Sequence, residues 1–205
     1  MLAKFYLIVD DVHWLEKLLP LGLKLVQLRI KNQPDDIVLS QILQAKKLCQ
    51  QYQCQLVIND YWQLAIEAGC DYIHLGQEDL KTADLSKIKQ ANIKLGISTH
   101  TFTELSIALS CKPDYIAIGP IYETTLKKMP YAPQGLERIH QWKKRIGSCP
   151  LVAIGGIKVE NASSIFQAGA NSIAVVTDVL YNADPAKRLR QWLQFDIGDD
   201  FNGKI

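Results

Sequence analysis

Eight short apolar runs, rich in β-branched residues, recur along this chain, and the interval between successive runs is usually long enough for a helix. Each run ends in polar or glycine residues. The runs cover residues 4–10, 24–31, 55–60, 72–76, 94–99, 115–120, 151–156 and 172–177. Alternating strands and helices predict a parallel sheet, and eight repeats predict its closure into a single (β/α)8 or TIM barrel. Because such barrels place their active sites at the C-terminal strand ends, the residues that end the runs are the candidates for chemistry.

The intervals between the runs have the start and stop signals of helices. Pro34, followed by Asp35 and Asp36, suits a first helical turn, and apolar residues then recur at helical spacing as far as Leu48. Comparable segments cover residues 14–21, 62–68, 85–91, 103–110, 136–146, 161–168 and 185–194. An open, doubly wound sheet shares this alternation. It predicts a glycine-rich phosphate loop after the first strand, where this chain has Asp10-Asp11-Val12 instead, so the closed barrel is favoured.

Length and composition limit the class of protein. A chain of 205 residues, 48% of them hydrophobic, predicts one domain, 1–205, with a frayed tail over residues 196–205. The net charge of +2 argues against a nucleic-acid partner or a membrane surface. The 5 cysteines are scattered and never spaced as Cys-x-x-Cys, which favours buried thiols in a reducing cytoplasm over disulfides or a zinc site. The apolar stretch before Asp10 is too short for a signal peptide or a membrane span, so we expect a cytoplasmic protein, and a homo-oligomer remains open.

Gln27, Arg29 and Lys31 alternate at the end of the second run and would share one face of a strand. If that face is the barrel lumen, an amide and two cations converge at its mouth. The alternative is that both charges are solvated at the strand edge. Since burying two cations without an anion costs on the order of several kcal/mol, a bound phosphate is the favoured partner.

Carboxylates follow the third and fourth runs at Asp60 and Asp79. Two carboxylates on neighbouring strand exits, together with a phosphate oxygen and water, suit a magnesium ion. Each acid could instead cap the helix that follows it, so the metal prediction depends on the pair rather than on either residue.

The remaining strand exits offer further phosphate ligands. Ser98 could donate to a phosphate or cap the next helix, and His100 has no Ser or Cys partner for nucleophilic catalysis. The long loop over residues 120–135 contains Lys127, the cation best placed in sequence to reach inward. Gly155-Gly156 suits either a phosphate site, usual at this place in the fold, or a tight turn. Two anion sites around one mouth would suit two phosphorylated substrates that are joined with loss of diphosphate.

Six segments, in register over nearly the whole chain, resemble thiamine phosphate synthase. They are Gln27-Leu28-Arg29-Ile30-Lys31, Asn59-Asp60-Tyr61-Trp62, His74-Leu75-Gly76-Gln77-Glu78-Asp79, Gly96-Ile97-Ser98-Thr99-His100, Gln134-Gly135 and Ile154-Gly155-Gly156-Ile157. The resemblance implies a magnesium-dependent transferase that couples 4-amino-2-methyl-5-(diphosphooxymethyl)pyrimidine with a thiazole phosphate, giving thiamine phosphate and diphosphate. By family likeness the bond to diphosphate breaks first, and the thiazole nitrogen captures the pyrimidine carbocation.

The resemblance also implies a role for each matching residue. Asp60 and Asp79 would bind Mg²⁺, and Arg29, Lys127 and Ser98 would be catalytic. The implied pyrimidine diphosphate site comprises Gln27, Leu28, Arg29, Ile30, Lys31, Asn59, Ser98 and Lys127. The implied thiazole phosphate site comprises Thr124, Thr125, Leu126, Gly156, Val176 and Thr177.

The loop after the sixth run departs from the family pattern. Members generally have Thr-x-Thr-Lys or a close variant there, whereas this chain has Thr124-Thr125-Leu126-Lys127, which lacks the hydroxyl next to the lysine. Losing one hydrogen bond to a charged phosphate costs about 1.5–3 kcal/mol, which would weaken thiazole phosphate binding about ten- to a hundredfold unless Thr125 compensates. Two other functions stay open: a thiazole tautomerase on the same barrel, and a non-catalytic barrel that binds a thiamine precursor. The carboxylate pair and the cations of the second run favour the synthase over the tautomerase, whereas no sequence feature excludes the non-catalytic barrel.

Overall fold

The computed structural model of the protein describes residues 2–124 and 131–197. Its strands form a closed barrel in which each strand pairs in parallel with the next and β8 pairs with β1. The strands are β1 (Phe5–Val9), β2 (Leu25–Leu28), β3 (Gln55–Asn59), β4 (Tyr72–Leu75), β5 (Lys94–Thr99), β6 (Tyr115–Ile118), β7 (Leu151–Ile154) and β8 (Ser172–Val175). The predicted (β/α)8 barrel is therefore confirmed.

Helices connect the strands and surround the barrel. They are α1 (His13–Leu18), α2 (Asp35–Gln51), α3 (Trp62–Glu67), α4 (Gln77–Thr82), α5 (Leu85–Gln90), α6 (Phe102–Ser110), α7 (Gly135–Ile146), α8 (Ala162–Gln167), α9 (Thr177–Leu180) and α10 (Pro185–Ile197). Short 3-10 turns extend α1 at Leu19–Leu21 and precede α8 at Val159–Asn161. No helix among the described residues is long and apolar enough to cross a membrane.

The structure differs from the sequence prediction mainly at element ends. Every strand begins at or next to the predicted residue, and most end slightly earlier. Two short helices, α4 and α9, were not predicted, because each directly follows a strand exit and spans too few residues to show an apolar period. Helix α10 continues to Ile197 and so overlaps the start of the predicted tail, whereas residues 198–205 lie outside the described part of the chain.

Strand alternation divides the core into two layers. Residues that point outward, such as Leu7 and Val9, pack against the helices together with the fully buried Trp142 and Trp192. Residues that point inward fill the lumen and include Tyr6, Tyr72 and Tyr115 as well as smaller apolar side chains. The inner layer contains polar groups near the C-terminal strand ends, and these form the base of the site described below.

Three cysteines belong to this core. Just after the end of helix α2, Gln53 has a left-handed backbone conformation with a φ of 53°. The Cys54 N–H then donates to the Cys49 carbonyl at 2.9 Å. This arrangement is a Schellman motif, which brings together the side chains of the two hydrogen-bonded residues, here Cys49 and Cys54. Cys49, Cys54 and Cys70 are buried free thiols, and burial raises the pKa of Cys70 to about 11. These three act as small apolar side chains, as predicted, whereas Cys111 and Cys149 are only partly buried.

Candidate active site

A cavity of about 260 Å³ opens at the C-terminal strand ends, and every strand contributes to its wall. On the side of strands β2 to β5, the predicted site residues in the wall are Gln27, Arg29, Asn59 and Ser98. On the opposite side they are Thr124, Val176 and Thr177. The fold thus brings together side chains that are far apart in sequence, at the end of the barrel where such enzymes bind substrates.

The second strand divides its predicted residues between the cavity and the outer core. Gln27 is buried in the lumen, and Arg29 follows it on the same side, held by a hydrogen bond of 2.8 Å from its N–H to the Val9 carbonyl. Leu28 and Ile30 instead pack in the outer core. Their side chains face the helices, so only their backbone could contact a ligand in the cavity.

Two cations near the mouth have different environments. Lys31 is exposed at the rim and forms an ion pair with Asp60. Arg29 is partly buried in the cavity wall, and no carboxylate among the side chains described in residues 2–124 and 131–195 forms an ion pair with it. A partly buried guanidinium without an anionic partner favours the binding of an anion.

Asn59 offers a second group without a partner. Asn59 is 5% exposed, and its Nδ2 atom makes no hydrogen bond to any residue that the structure describes. Most buried polar atoms in folded proteins are hydrogen-bonded, so an unpartnered donor in a cavity wall indicates a position for a ligand acceptor.

The carboxylates of Asp60 and Asp79 lie next to each other where β3 and β4 end, but neither residue is part of the cavity wall. Burial, and then the charge and hydrogen bond of Asp60, raise the pKa of Asp79, while Lys31 lowers it. Asp60 has a φ of 64°, a left-handed conformation that costs an aspartate about 1 kcal/mol or more. No third His, Cys, Asp or Glu completes a metal cluster within the described residues. A hard cation held by this pair would therefore take its other ligands from substrate oxygens and water.

Neither carboxylate is a helix cap. Helix α5 is capped by Asp84, whose carboxylate accepts hydrogen bonds from the N–H groups of Ser86 and Lys87 at 3.1 Å each. Helices α3 and α4 begin without a side-chain cap. The capping alternative is thus wrong for Asp60 and Asp79, which leaves their pairing to be explained.

Ser98 is not a helix cap either. Helix α6 is capped by Thr101, which forms a reciprocal capping box with Glu104. The Ser98 hydroxyl lies in the cavity wall, 2.6 Å from Nε2 of His74. The adjacent Thr99 points outward and accepts a hydrogen bond from the Trp142 indole at 2.8 Å.

His100 has a carboxylate partner, and no Ser or Cys among the described residues is hydrogen-bonded to its ring. Its Nδ1 lies 2.9 Å from Glu104, and its ring stacks on Tyr131 at a centroid distance of 4.5 Å. The Tyr131 hydroxyl donates to the same carboxylate at 3.0 Å. These contacts bind Tyr131 to the start of α6. In the described structure, they therefore position this part of the loop over residues 120–135.

Sequence reasoning missed three interior residues of the site, Tyr6, His74 and Tyr115. All three are buried and line the cavity. Burial lowers the pKa of His74 to about 4; Asp60 opposes this shift and Arg29 adds to it, so the ring is neutral at pH 7. Burial also raises the pKa of both tyrosines. The sequence feature that could have placed these residues in the lumen is the two-residue alternation of a strand. It puts Tyr6 on the same face as Ile8, and His74 on the same face as Tyr72.

The opposite side of the mouth is built from β6, β7 and β8. Thr124, Gly155, Val176 and Thr177 line it. A Cβ on Gly156 would lie 2.2 Å from the Glu123 carbonyl oxygen, so this glycine is required for the close packing of two strand exits. The predicted site residues Thr125, Leu126 and Lys127 lie outside the described residues.

Comparisons with known proteins agree on one family. The profile of the family described as thiamine monophosphate synthase matches residues 5–179. The chain is 56% identical over 192 residues to the thiamine-phosphate synthase of Rhizobium etli, covering 94% of each. It is 46% identical over 196 residues to that of an Enterobacter species, covering 95% of this chain and 93% of the relative. The solved structure of a thiamine phosphate pyrophosphorylase from Pyrococcus furiosus has a TM-score of 0.84 and 25% identity, with 96% of both chains covered.

Proposed function

This chain belongs to the thiamine monophosphate synthase family, and we propose that its cavity joins a pyrimidine methyl diphosphate to a thiazole phosphate with release of diphosphate. Its activity as a thiamine-phosphate synthase, a transferase, follows from the family and from its relatives. The tautomerase and the non-catalytic barrel are not favoured by these relatives. The placement of the substrates, the metal and the catalytic roles is the proposal.

The observation that supports the proposal most strongly is a pair of unsatisfied groups in one wall. Arg29 is a partly buried cation without an ion pair in the described chain, and Asn59 presents a buried amide donor without an acceptor. A diphosphate satisfies both, because it is an anion with several acceptor oxygens. We place the pyrimidine diphosphate on this side, where Gln27 and Ser98 also line the wall.

Asp60 and Asp79 fit a magnesium site. Burial raises the pKa of Asp79, and the repulsion between the two adjacent carboxylates raises it further. A bound Mg²⁺ would neutralise charge on the diphosphate leaving group. The two residues would supply the protein ligands of the ion, with Lys31 held nearby through its ion pair with Asp60.

The proposed chemistry is dissociative and requires no protein nucleophile. The bond between the methylene carbon of the pyrimidine and the diphosphate oxygen breaks, and both electrons leave with the oxygen. The lone pair of the thiazole nitrogen then forms the new carbon–nitrogen bond. Arg29, Ser98 and, from the sequence alone, Lys127 would stabilise the charge that grows on the leaving group.

We place the thiazole phosphate on the opposite side of the mouth. Thr124 and Thr177 provide hydroxyls there, and Val176 provides an apolar surface for the ring. Gly156 keeps the strand exits in close contact, and its neighbour Gly155 lines the wall. Thr125 and Leu126 belong to this proposed site on sequence grounds only.

The test is a coupled assay with purified protein, Mg²⁺ and both phosphorylated substrates. We expect thiamine phosphate and diphosphate in equal amounts, and we expect Asp60→Asn to abolish turnover with the fold intact by circular dichroism. Asp71→Asn is the matched control, because Asp71 lies directly before β4, at the other end of the barrel. Unaltered turnover in Asp60→Asn would remove the metal assignment, and absence of product with the wild-type protein would remove the function.

For the compartment we propose the cytoplasm. The support is that all five cysteines are free thiols, which is usual for proteins of reducing compartments.

A further inference from the structure

A hydrogen-bonded chain of five side chains crosses the barrel interior beneath the cavity. The Gln27 amide donates to the Tyr6 hydroxyl at 2.9 Å, and the Tyr6 and Tyr115 hydroxyls are 3.0 Å apart. The Tyr115 hydroxyl lies 2.7 Å from Nδ1 of His74, whose Nε2 lies 2.6 Å from the Ser98 hydroxyl. We call this set the interior chain.

The order of donors along the interior chain follows from counting hydrogens. Tyr6 accepts from Gln27 and has a single hydroxyl hydrogen to donate. If Tyr6 donates to Tyr115, then Nδ1 of His74 is the one acceptor left among the described residues for the hydroxyl hydrogen of Tyr115, which is fully buried, so Tyr115 donates to it. A neutral His74 then has its proton on Nε2, where it donates to Ser98. Ser98 is left with its own hydrogen free to point into the cavity.

The opposite order is disfavoured by burial. Tyr6 would then accept from both Gln27 and Tyr115, and its own hydrogen would have no acceptor among the described residues. Tyr6 is 1% exposed, so water is not available to replace that acceptor. Buried donors without partners are rare in folded proteins, and the first order avoids one.

A neutral histidine is what the first order requires, because a neutral ring has one donor and one acceptor. His74 is 8% exposed, and among the described residues its two ring nitrogens face only the hydroxyls of Tyr115 and Ser98, so no carboxylate is hydrogen-bonded to the ring to stabilise a charged form. No member of the chain then bears a charge, and each step has one donor and one acceptor.

We propose that Tyr115 and His74 are positioning residues that hold the Ser98 hydroxyl as a hydrogen-bond donor toward an anionic phosphate oxygen in the cavity. This inference rests on the proposed function for the identity of that oxygen. Without the chain, Ser98 could donate to His74 and present only lone pairs to the anion. Because the charge on the leaving oxygen grows in the transition state, a fixed donor acts more on kcat than on KM.

The first test measures the His74 tautomer directly, in the free protein. Long-range proton–nitrogen correlation spectra of ¹⁵N-labelled protein distinguish the Nε2–H from the Nδ1–H form, and loss of the signal in His74→Gln assigns it. We expect the Nε2–H tautomer in the wild-type protein. The Nδ1–H tautomer would overturn the proposal, whether or not the protein makes thiamine phosphate.

The second test is a double-mutant cycle in steady-state kinetics. We expect Tyr115→Phe and Ser98→Ala each to lower kcat about ten- to a hundredfold, with a much smaller change in the KM of the pyrimidine diphosphate. If Tyr115 acts through Ser98, the double variant is no slower than the slower single variant. A double variant whose loss is the product of the two single losses would overturn the proposal.

Tyr72→Phe is the matched control. Tyr72 also lies in the lumen, with its ring 5.7 Å from that of Tyr115, but its hydroxyl makes no hydrogen bond among the described residues. Removing it deletes a hydroxyl from the same layer without touching the interior chain. We expect kcat within about twofold of wild type, and a loss as large as that of Tyr115→Phe would mean that packing, not the chain, explains the effect.

Discussion

The Tyr115 ring occupies the space that any side chain at residue 96 would need. Gly96 and Tyr115 are directly paired between β5 and β6, and a Cβ on Gly96 would lie 2.1 Å from Cζ of the ring. The glycine therefore allows Tyr115 to turn across the lumen and reach His74. A residue without a side chain thus decides where the middle of the interior chain lies.

We predict that Gly96→Ala destabilises the protein by about 1–3 kcal/mol, the usual cost of overpacking a core, and lowers kcat by displacing Tyr115. The measurements are urea unfolding and the coupled assay. In a Tyr115→Leu background the same substitution should cost less stability, because the clashing ring is gone. An equal cost in both backgrounds would show that the ring is not the obstacle.

We predict that Arg188→Leu destabilises the protein by about 3–5 kcal/mol, because it leaves a buried carboxylate without its cation. Arg188 donates to Asp178 at 2.8 and 2.9 Å, and the side chain of Asp178 is 6% exposed. The same guanidinium also binds Glu160, whose side chain is 66% exposed. Glu160→Gln is therefore the matched control and should cost less than about 1 kcal/mol in urea unfolding. Similar losses in both variants would contradict this account.

We predict a pH dependence of stability that comes from His74. Its pKa is 6.5 when unfolded and about 4 when folded, so between these values the unfolded chain binds one more proton. Stability therefore falls as the pH decreases, and this residue contributes about 3 kcal/mol of loss by pH 4. Urea unfolding from pH 7 to pH 4 should show a smaller decrease in His74→Gln, since the carboxylates titrate in both proteins. Parallel curves would show that His74 is not held neutral by burial.

We predict that Leu126→Thr lowers the KM for the thiazole phosphate more than the KM for the pyrimidine diphosphate. A hydroxyl beside Lys127 would add a hydrogen bond to the phosphate. We therefore expect the KM for the thiazole phosphate to fall about tenfold or more. Leu126→Val serves as the control, because it changes the shape without adding a hydroxyl. If neither KM moves, the missing hydroxyl is irrelevant or is replaced by Thr125.

Much of the site was predictable because polar residues at strand ends in a barrel share one location. Arg29, Asn59 and Ser98 were predicted at strand exits, and all three line the cavity. Leu28 and Ile30 were grouped with them from the family resemblance, but alternation turns their side chains to the outer core. His74 and Tyr115 were missed because an aromatic or imidazole ring within a buried strand looks the same in sequence whether it packs or binds.

The sequence by itself determined the barrel and the residue types at its strand ends. Strand and helix periods are local properties, and β5 begins and ends where the apolar run from 94 to 99 does. Only the tertiary structure decided between capping and pairing for Asp60 and Asp79, and only it joined Tyr6 to Tyr115 across 109 residues of chain. The physical reason is that side-chain partners inside a barrel depend on closure and strand register, which no local pattern of residues contains.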